Sequence, residues 1–189
     1  MKPIYIASML TTCTLTHALP PTLLPRDFQP LPDDPSNGPT SVVDLPHDIS
    51  KKCGTTTYTY NDIYDAASWG MKLQEKGIAR GKKSKEYPNG RFPHSYTDTK
   101  FDFGKNCPAD DNRHEYPLVT KGPYNGGLNN NKWGNDRVVY YHEPGEIGND
   151  GHPLGYYCGT ITHSGAPTGQ FVEFELELST DGILITTGH

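Results

Sequence analysis

From Cys53 onward the sequence predicts an α+β domain: one helix packed on a twisted antiparallel β-sheet, with reactive polar side chains on the concave sheet face. Two observations carry this. A single segment has helical period, with Ile63, Ala66, Ala67, Gly70, Met71 and Gln74 on one face. The rest reads as short β-rich runs between turn clusters, and one helix followed by several strands favours an antiparallel sheet covered on one side.

Asn61 or Asp62 can cap the start of the helix, and Gly77 and Gly81 bracket its end. Strands are expected over 91–96, 115–119, 137–141, 156–163 and 171–178. Pro123-Tyr124-Asn125-Gly126-Gly127, Gly145, Asp150-Gly151 and Thr168-Gly169 supply the turns between them. The final run alternates most cleanly, with Val172, Phe174, Leu176 and Leu178 against Glu173, Glu175 and Glu177.

The 189 residues are not all expected in that domain. Residues 1–18 read as a signal peptide: Lys2 is the positive start, Ile4 to Leu15 a short apolar core, and Thr16-His17-Ala18 a small-residue cleavage site. The stretch is too short, and too interrupted by Thr and Cys, to span a bilayer, so secretion without a membrane anchor is expected. Residues 19–52 are rich in Pro, Asp, Ser and Thr and bury too little to offset their ordering entropy, which predicts a disordered leader or pro-segment. Lys51-Lys52 is either a processing site or a chance dibasic pair. Residues 53–189 then form one domain with a single core, expected to be monomeric.

A net charge of −5 excludes a generally basic nucleic-acid-coating surface, so affinity for a polyanion has to come from a local site. The basic run Arg80, Lys82, Lys83 and Lys85 is either a phosphate rail or a solvated loop. Of four cysteines, Cys13 leaves with the signal. Cys53, Cys107 and Cys158 allow one bridge and leave one thiol. No Cys-x-x-Cys occurs, and the eight His lack zinc-ligand spacing with the cysteines, so no metal or other cofactor is expected.

Counting by twos along the strands groups the polar residues. His94 shares a face with Phe92 and Tyr96, and His163 with Tyr157 and Ile161, while Cys158 points to the opposite face. Phe171 falls on the glutamate side of its strand. A face carrying His94, Glu115, Arg137, His163 and Phe171 makes a cleft with the helix and core behind it.

Four motifs carry a resemblance. Tyr87-Pro88 with Phe92-Pro93-His94-Ser95-Tyr96 comes first, then His114-Glu115-Tyr116-Pro117-Leu118-Val119, and then Asp136-Arg137-Val138-Val139-Tyr140. The fourth is Ile161-Thr162-His163-Ser164-Gly165-Ala166 with Phe171-Val172-Glu173. In this order and near this spacing, from about Cys53 to Glu173, the chain resembles the fungal guanyl-specific ribonucleases, whose relatives include the ribotoxins. The resemblance implies a metal-independent endoribonuclease acting on RNA, in which the ribose 2′-hydroxyl is the nucleophile. Glu115 is then the general base and His163 the general acid, while positively charged His94 and Arg137 stabilise the phosphoryl oxygens and Phe171 walls the site. Phe92, Tyr96 and Asp98 fall among its substrate-binding positions. The resemblance also implies a Cys107–Cys158 disulfide, with Cys53 left as the thiol.

The chain departs from the family at four places. The family has a tyrosine at the Phe92 position, whose hydroxyl donates to the phosphate. Its guanine loop ends in a glutamate, whereas here the loop reads Thr97-Asp98-Thr99-Lys100 and is one residue shorter. Phe174 stands where many relatives have a cysteine, and residues 176–189 extend past the usual end. The implied substrate is therefore single-stranded RNA with a guanine or purine preference looser than strict guanyl cutting. The competing reading is a catalytically weak secreted effector or ribotoxin that binds RNA or a host target.

Overall fold

The computed structural model describes residue 35 and residues 38–82, 90–127 and 132–174. Ten short strands and one helix follow in the order β1 (Ser41–Val43), β2 (Ser50–Cys53), β3 (Thr56–Thr59), α1 (Tyr60–Glu75), β4 (Arg80–Gly81), β5 (Arg91–Phe92), β6 (His94–Ser95), β7 (Arg113–Pro117), β8 (Asp136–Tyr141), β9 (Leu154–Thr162) and β10 (Val172–Glu173). The main sheet runs β1-β9-β8-β7-β6, with β10 on the far end of β9. All its pairings are antiparallel except β1 with β9. The expected α+β class, one helix on a largely antiparallel sheet, is what the chain adopts.

The helix starts one turn-position earlier than its apolar period suggests. Thr59 is the N-cap and Asp62 completes a capping box, accepting from the Thr59 backbone N–H at 2.8 Å. Asp62 is thus the third helical residue and not the cap. At the other end Gly77, at φ +63°, takes the left-handed position that lets its N–H reach Gln74 O and the Ile78 N–H reach Leu73 O, both at 2.9 Å. Ile63, Ala66, Ala67, Trp69, Met71 and Leu73 are buried against Tyr116, Val138 and Tyr140. Gly70 lets the helix lie this close, since a Cβ there would stand 2.8 Å from the Tyr140 ring.

A second, smaller cluster lies on the opposite sheet face, built from Tyr96, Val139 and Ile161 with Phe101, Phe103, Cys158 and Phe171 packed on it. Here the count by twos fails. Val139 pairs with Gly159 but Tyr140 pairs with Tyr157, so Cys158 is an inserted bulge residue. The bulge turns Tyr157 into the helix-side core and Cys158 onto the face of Ile161, the reverse of the expected assignment. Cys158 is bonded there to Cys107 (Cα–Cα 5.8 Å), and among the described residues Cys53 is the free thiol.

The fold also begins ahead of Cys53. β1 pairs with the start of β9, the Tyr64 hydroxyl donates to Thr40 O at 2.9 Å, and Leu45 is buried in the main core. Lys51 and Lys52 are ladder partners of Tyr58 and Thr57 inside the β2–β3 hairpin. The last part of the stretch expected as disordered leader is therefore structured. Backbone pairing and a few buried side chains order it despite its polar composition. The expected signal peptide, the rest of the leader, Lys83, Lys85, Tyr87, Pro88 and the strand beyond Phe174 lie outside the described residues.

Candidate active site

On the sheet face away from the helix a row of polar residues crosses four paired strands. His94 on β6 is the register partner of Glu115 on β7, Glu115 of Val139 on β8, and Arg137 on β8 of Ile161 on β9, with His163 just past the end of β9. His94 Nε2 stands 3.1 Å from Glu115 Oε1. The other carboxylate oxygen, Oε2, is buried with no hydrogen-bond partner among the described residues, and the same holds for Arg137 Nε. Buried polar atoms left this way in a native fold call for a ligand or water to complete them.

Among the described residues Arg137 is anchored through one end of its guanidinium. Its Nη1 donates to the carbonyls of Asp136 (2.8 Å), Trp133 (3.1 Å) and Gly134 (3.1 Å). The guanidinium carbon lies 4.9 Å from the Phe92 ring centroid, and that ring stacks on His94 at 4.8 Å. Phe92 joins His94 and Arg137 as expected, but it is 3% exposed, wedged edge-on against Tyr116 and Tyr124. It is a platform under the site, because the expected strand 91–96 is split into β5, which pairs with β4, and β6, which pairs with β7.

Burial sets the proton inventory. It pushes the Glu115 carboxyl up to about 7, against the pull of the nearby Arg137 charge. It pushes His94 down to about 4, with Arg137 and His114 adding to the depression. The free protein thus holds His94 neutral near pH 7, contrary to the standing positive charge expected of it, because the site desolvates the imidazolium more than its neighbours compensate. His163 is lowered as well, chiefly by burial. Its Nδ1 faces the Gln170 carbonyl at 2.6 Å, so Nδ1 carries a proton and Nε2 is left for chemistry. The Phe171 ring stacks on this imidazole at 3.7 Å.

The loop beside the site departs from expectation in detail. Asp98 Oδ1 is taken by the backbone N–H of Lys100 (2.8 Å), and Lys100 Nζ reaches across to the Phe171 carbonyl (2.8 Å). Tyr96 lies in the second cluster with its hydroxyl buried, edge-on to Phe171. The sequence reading did not single out Arg113. This residue is 2% exposed and donates to the carbonyls of Tyr96 (2.8 Å), Cys107 (3.1 Å) and Asp98 (2.5 Å), tying the loop to the disulfide. Its signal was present, since position 113 shares the face of Glu115 two residues on, where a buried cation needs several acceptors.

The sheet face away from the helix thus carries a buried carboxylate in contact with one imidazole, with a guanidinium and a second imidazole on the neighbouring strands. A family model described as ribonuclease matches residues 47–175, and the chain belongs to that ribonuclease family and is an endoribonuclease. It is 32% identical to guanyl-specific ribonuclease T1 of Aspergillus oryzae, over 64% of this chain and 75% of that protein. It is 34% identical to guanyl-specific ribonuclease U1 of Ustilago sphaerogena, over 66% and 94%. It is 29% identical to extracellular guanyl-specific ribonuclease Fl1 of Gibberella baccata, over 64% and 90%.

Proposed function

We propose that the protein is a secreted endoribonuclease that cleaves single-stranded RNA by transesterification, without a metal ion, leaving a 2′,3′-cyclic phosphate. The observation that carries this reading is the Glu115–His94 contact with Glu115 Oε2 left unpartnered beside Arg137. The 2′-oxygen forms a bond to phosphorus as its proton passes to Glu115 Oε2. The bond from phosphorus to the 5′-oxygen breaks, and that oxygen keeps the electron pair and takes the proton of His163 Nε2. An anionic phosphate arriving at His94 favours the imidazolium there. The Glu115 proton then moves to His94, leaving Glu115 as the carboxylate that the first step needs. Arg137 faces the phosphoryl oxygens from the floor of a water-poor site, where such contacts count most.

Secretion is supported by the N-terminal sequence, by the disulfide and by a relative named as extracellular. Among the described residues no helix is long and apolar enough to cross a membrane. Purified protein should degrade polymeric RNA in excess chelator to fragments ending in cyclic phosphate. Activity lost in chelator and restored by a divalent cation would refute the mechanism.

Base choice is expected to be looser than strict guanyl cutting. A carboxylate that accepts two guanine donors rejects adenine because adenine leaves it unpaired. Here Lys100 offers a donor, and one Asp98 oxygen is committed to the loop itself. GpC and ApC should be cleaved at rates differing by less than about 10⁴. A larger ratio would place a dedicated guanine acceptor elsewhere in the site.

A further inference from the structure

Three neutral donors converge on one carboxylate directly behind the proposed site. Asp136 Oδ1 accepts from Thr162 Oγ1 (2.6 Å) and Cys53 Sγ (3.0 Å), and Oδ2 accepts from the Tyr58 hydroxyl (2.7 Å). Asp136 and Thr162 are register partners, and each immediately precedes a proposed functional residue, Arg137 and His163. The lattice continues outward. Thr162 Oγ1 also accepts from the Ser164 N–H (2.9 Å), His163 N–H donates to Asn135 O (3.1 Å), and Asn135 Nδ2 donates to Ser164 Oγ (3.2 Å). The Asp136 carbonyl holds Arg137 Nη1.

We infer that Asp136, with Thr162, is a positioning residue for catalysis, fixing the Arg137 guanidinium and the His163 imidazole in one register from the far side of the sheet. The inference rests on the acid and phosphate roles proposed above. Its physical basis is the hydrogen-bond chain. Without the Asp136–Thr162 bond the end of β9 keeps its ladder but loses the side-chain tie that sets where residue 163 leaves the strand. Misplacement by about 1 Å at a reacting group is enough to cost on the order of 10²-fold in rate. The carboxylate also places a negative charge behind His163, which favours its protonated form.

The test uses the intact enzyme with Asp136→Asn, which keeps the shape but turns an acceptor into a donor facing donors. At a temperature well below its unfolding midpoint, kcat should fall at least tenfold with KM within about twofold. The alkaline limb of the rate profile should move to lower pH, and NMR titration should show His163 losing its proton earlier. If this variant does not fold, Thr162→Val should lower kcat at least tenfold with KM within about twofold, and Thr162→Ser, which restores the hydroxyl, should recover the rate. A folded Asp136→Asn enzyme with wild-type kcat and an unmoved alkaline limb, or a folded Thr162→Val enzyme with wild-type kcat, would overturn the inference. That result would leave the proposed function standing, whereas a wild-type protein that does not cut RNA would remove the function itself.

Discussion

Glu115→Gln is expected to slow RNA cleavage by about 10²–10⁴-fold, the usual span for a general base, while making the protein more stable at alkaline pH. The two effects share a cause. Glu115 is 3% exposed, and its folded-state carboxyl titrates near 7, well above the ordinary carboxylate range. A group raised in this way contributes stability below its unfolded pKa and loses it as pH climbs through the folded value. At pH 8 the wild type therefore carries a desolvated charge that glutamine does not, and the advantage fades toward pH 4.5. Thermal unfolding of both proteins across that range should show the Tm gap opening in favour of the variant as pH rises. His163→Gln should cost a similar factor in rate and remove the alkaline limb instead. A Glu115→Gln enzyme within tenfold of wild type would move the base to His94.

Arg113→Met should lower stability by about 3–4 kcal/mol. The substitution strands the buried carbonyls of Tyr96 and Cys107, at about 1–3 kcal/mol each. It also removes the guanidinium from the faces of Tyr96 and Phe103 (5.4 and 5.3 Å), about 1 kcal/mol more, while the freed Asp98 carbonyl is recovered by water. Methionine regains part of this by filling the space without a charge to desolvate. The denaturant midpoint should drop with little change in m. At temperatures where the variant is folded, discrimination among bases should weaken more than cleavage itself, because the tie holds the loop beside the site and touches none of the reacting groups. A loss under about 1 kcal/mol would mean that the loop is held by the Cys107–Cys158 bridge and the ring contacts alone.

Sequence pattern reached the helix and the three central strands because each has a long enough periodic run. Ile63 to Gln74 repeats at helical spacing, and 137–141 is almost wholly β-branched or aromatic. It missed β1 to β4, which are two to four residues drawn mostly from Ser, Lys, Thr and Val whose pairing is decided by partners elsewhere in the chain. The Cys158 bulge was invisible for another reason. A count by twos has no way to register an inserted residue, so every residue on the far side of it changes face. His94, Glu115, Arg137 and His163 were named from motifs, and the strands do bring them to one face. What the motifs did not carry is the environment. The neutral His94, the raised Glu115 and the buried Phe92 platform follow from burial, and burial is a property of the assembled sheet.

The most direct test of the account is cleavage of a DNA oligonucleotide containing a single purine ribonucleotide, in the presence of chelator. The 2′-hydroxyl is the nucleophile in this mechanism, so one cut is expected, immediately 3′ to the ribonucleotide. That fragment should end in a 2′,3′-cyclic phosphate, and the cut should disappear when the 2′-hydroxyl is methylated. Cutting at deoxynucleotide positions, or a metal requirement at the ribonucleotide, would contradict the assignment of Glu115 and His163 as the acid–base pair acting on RNA.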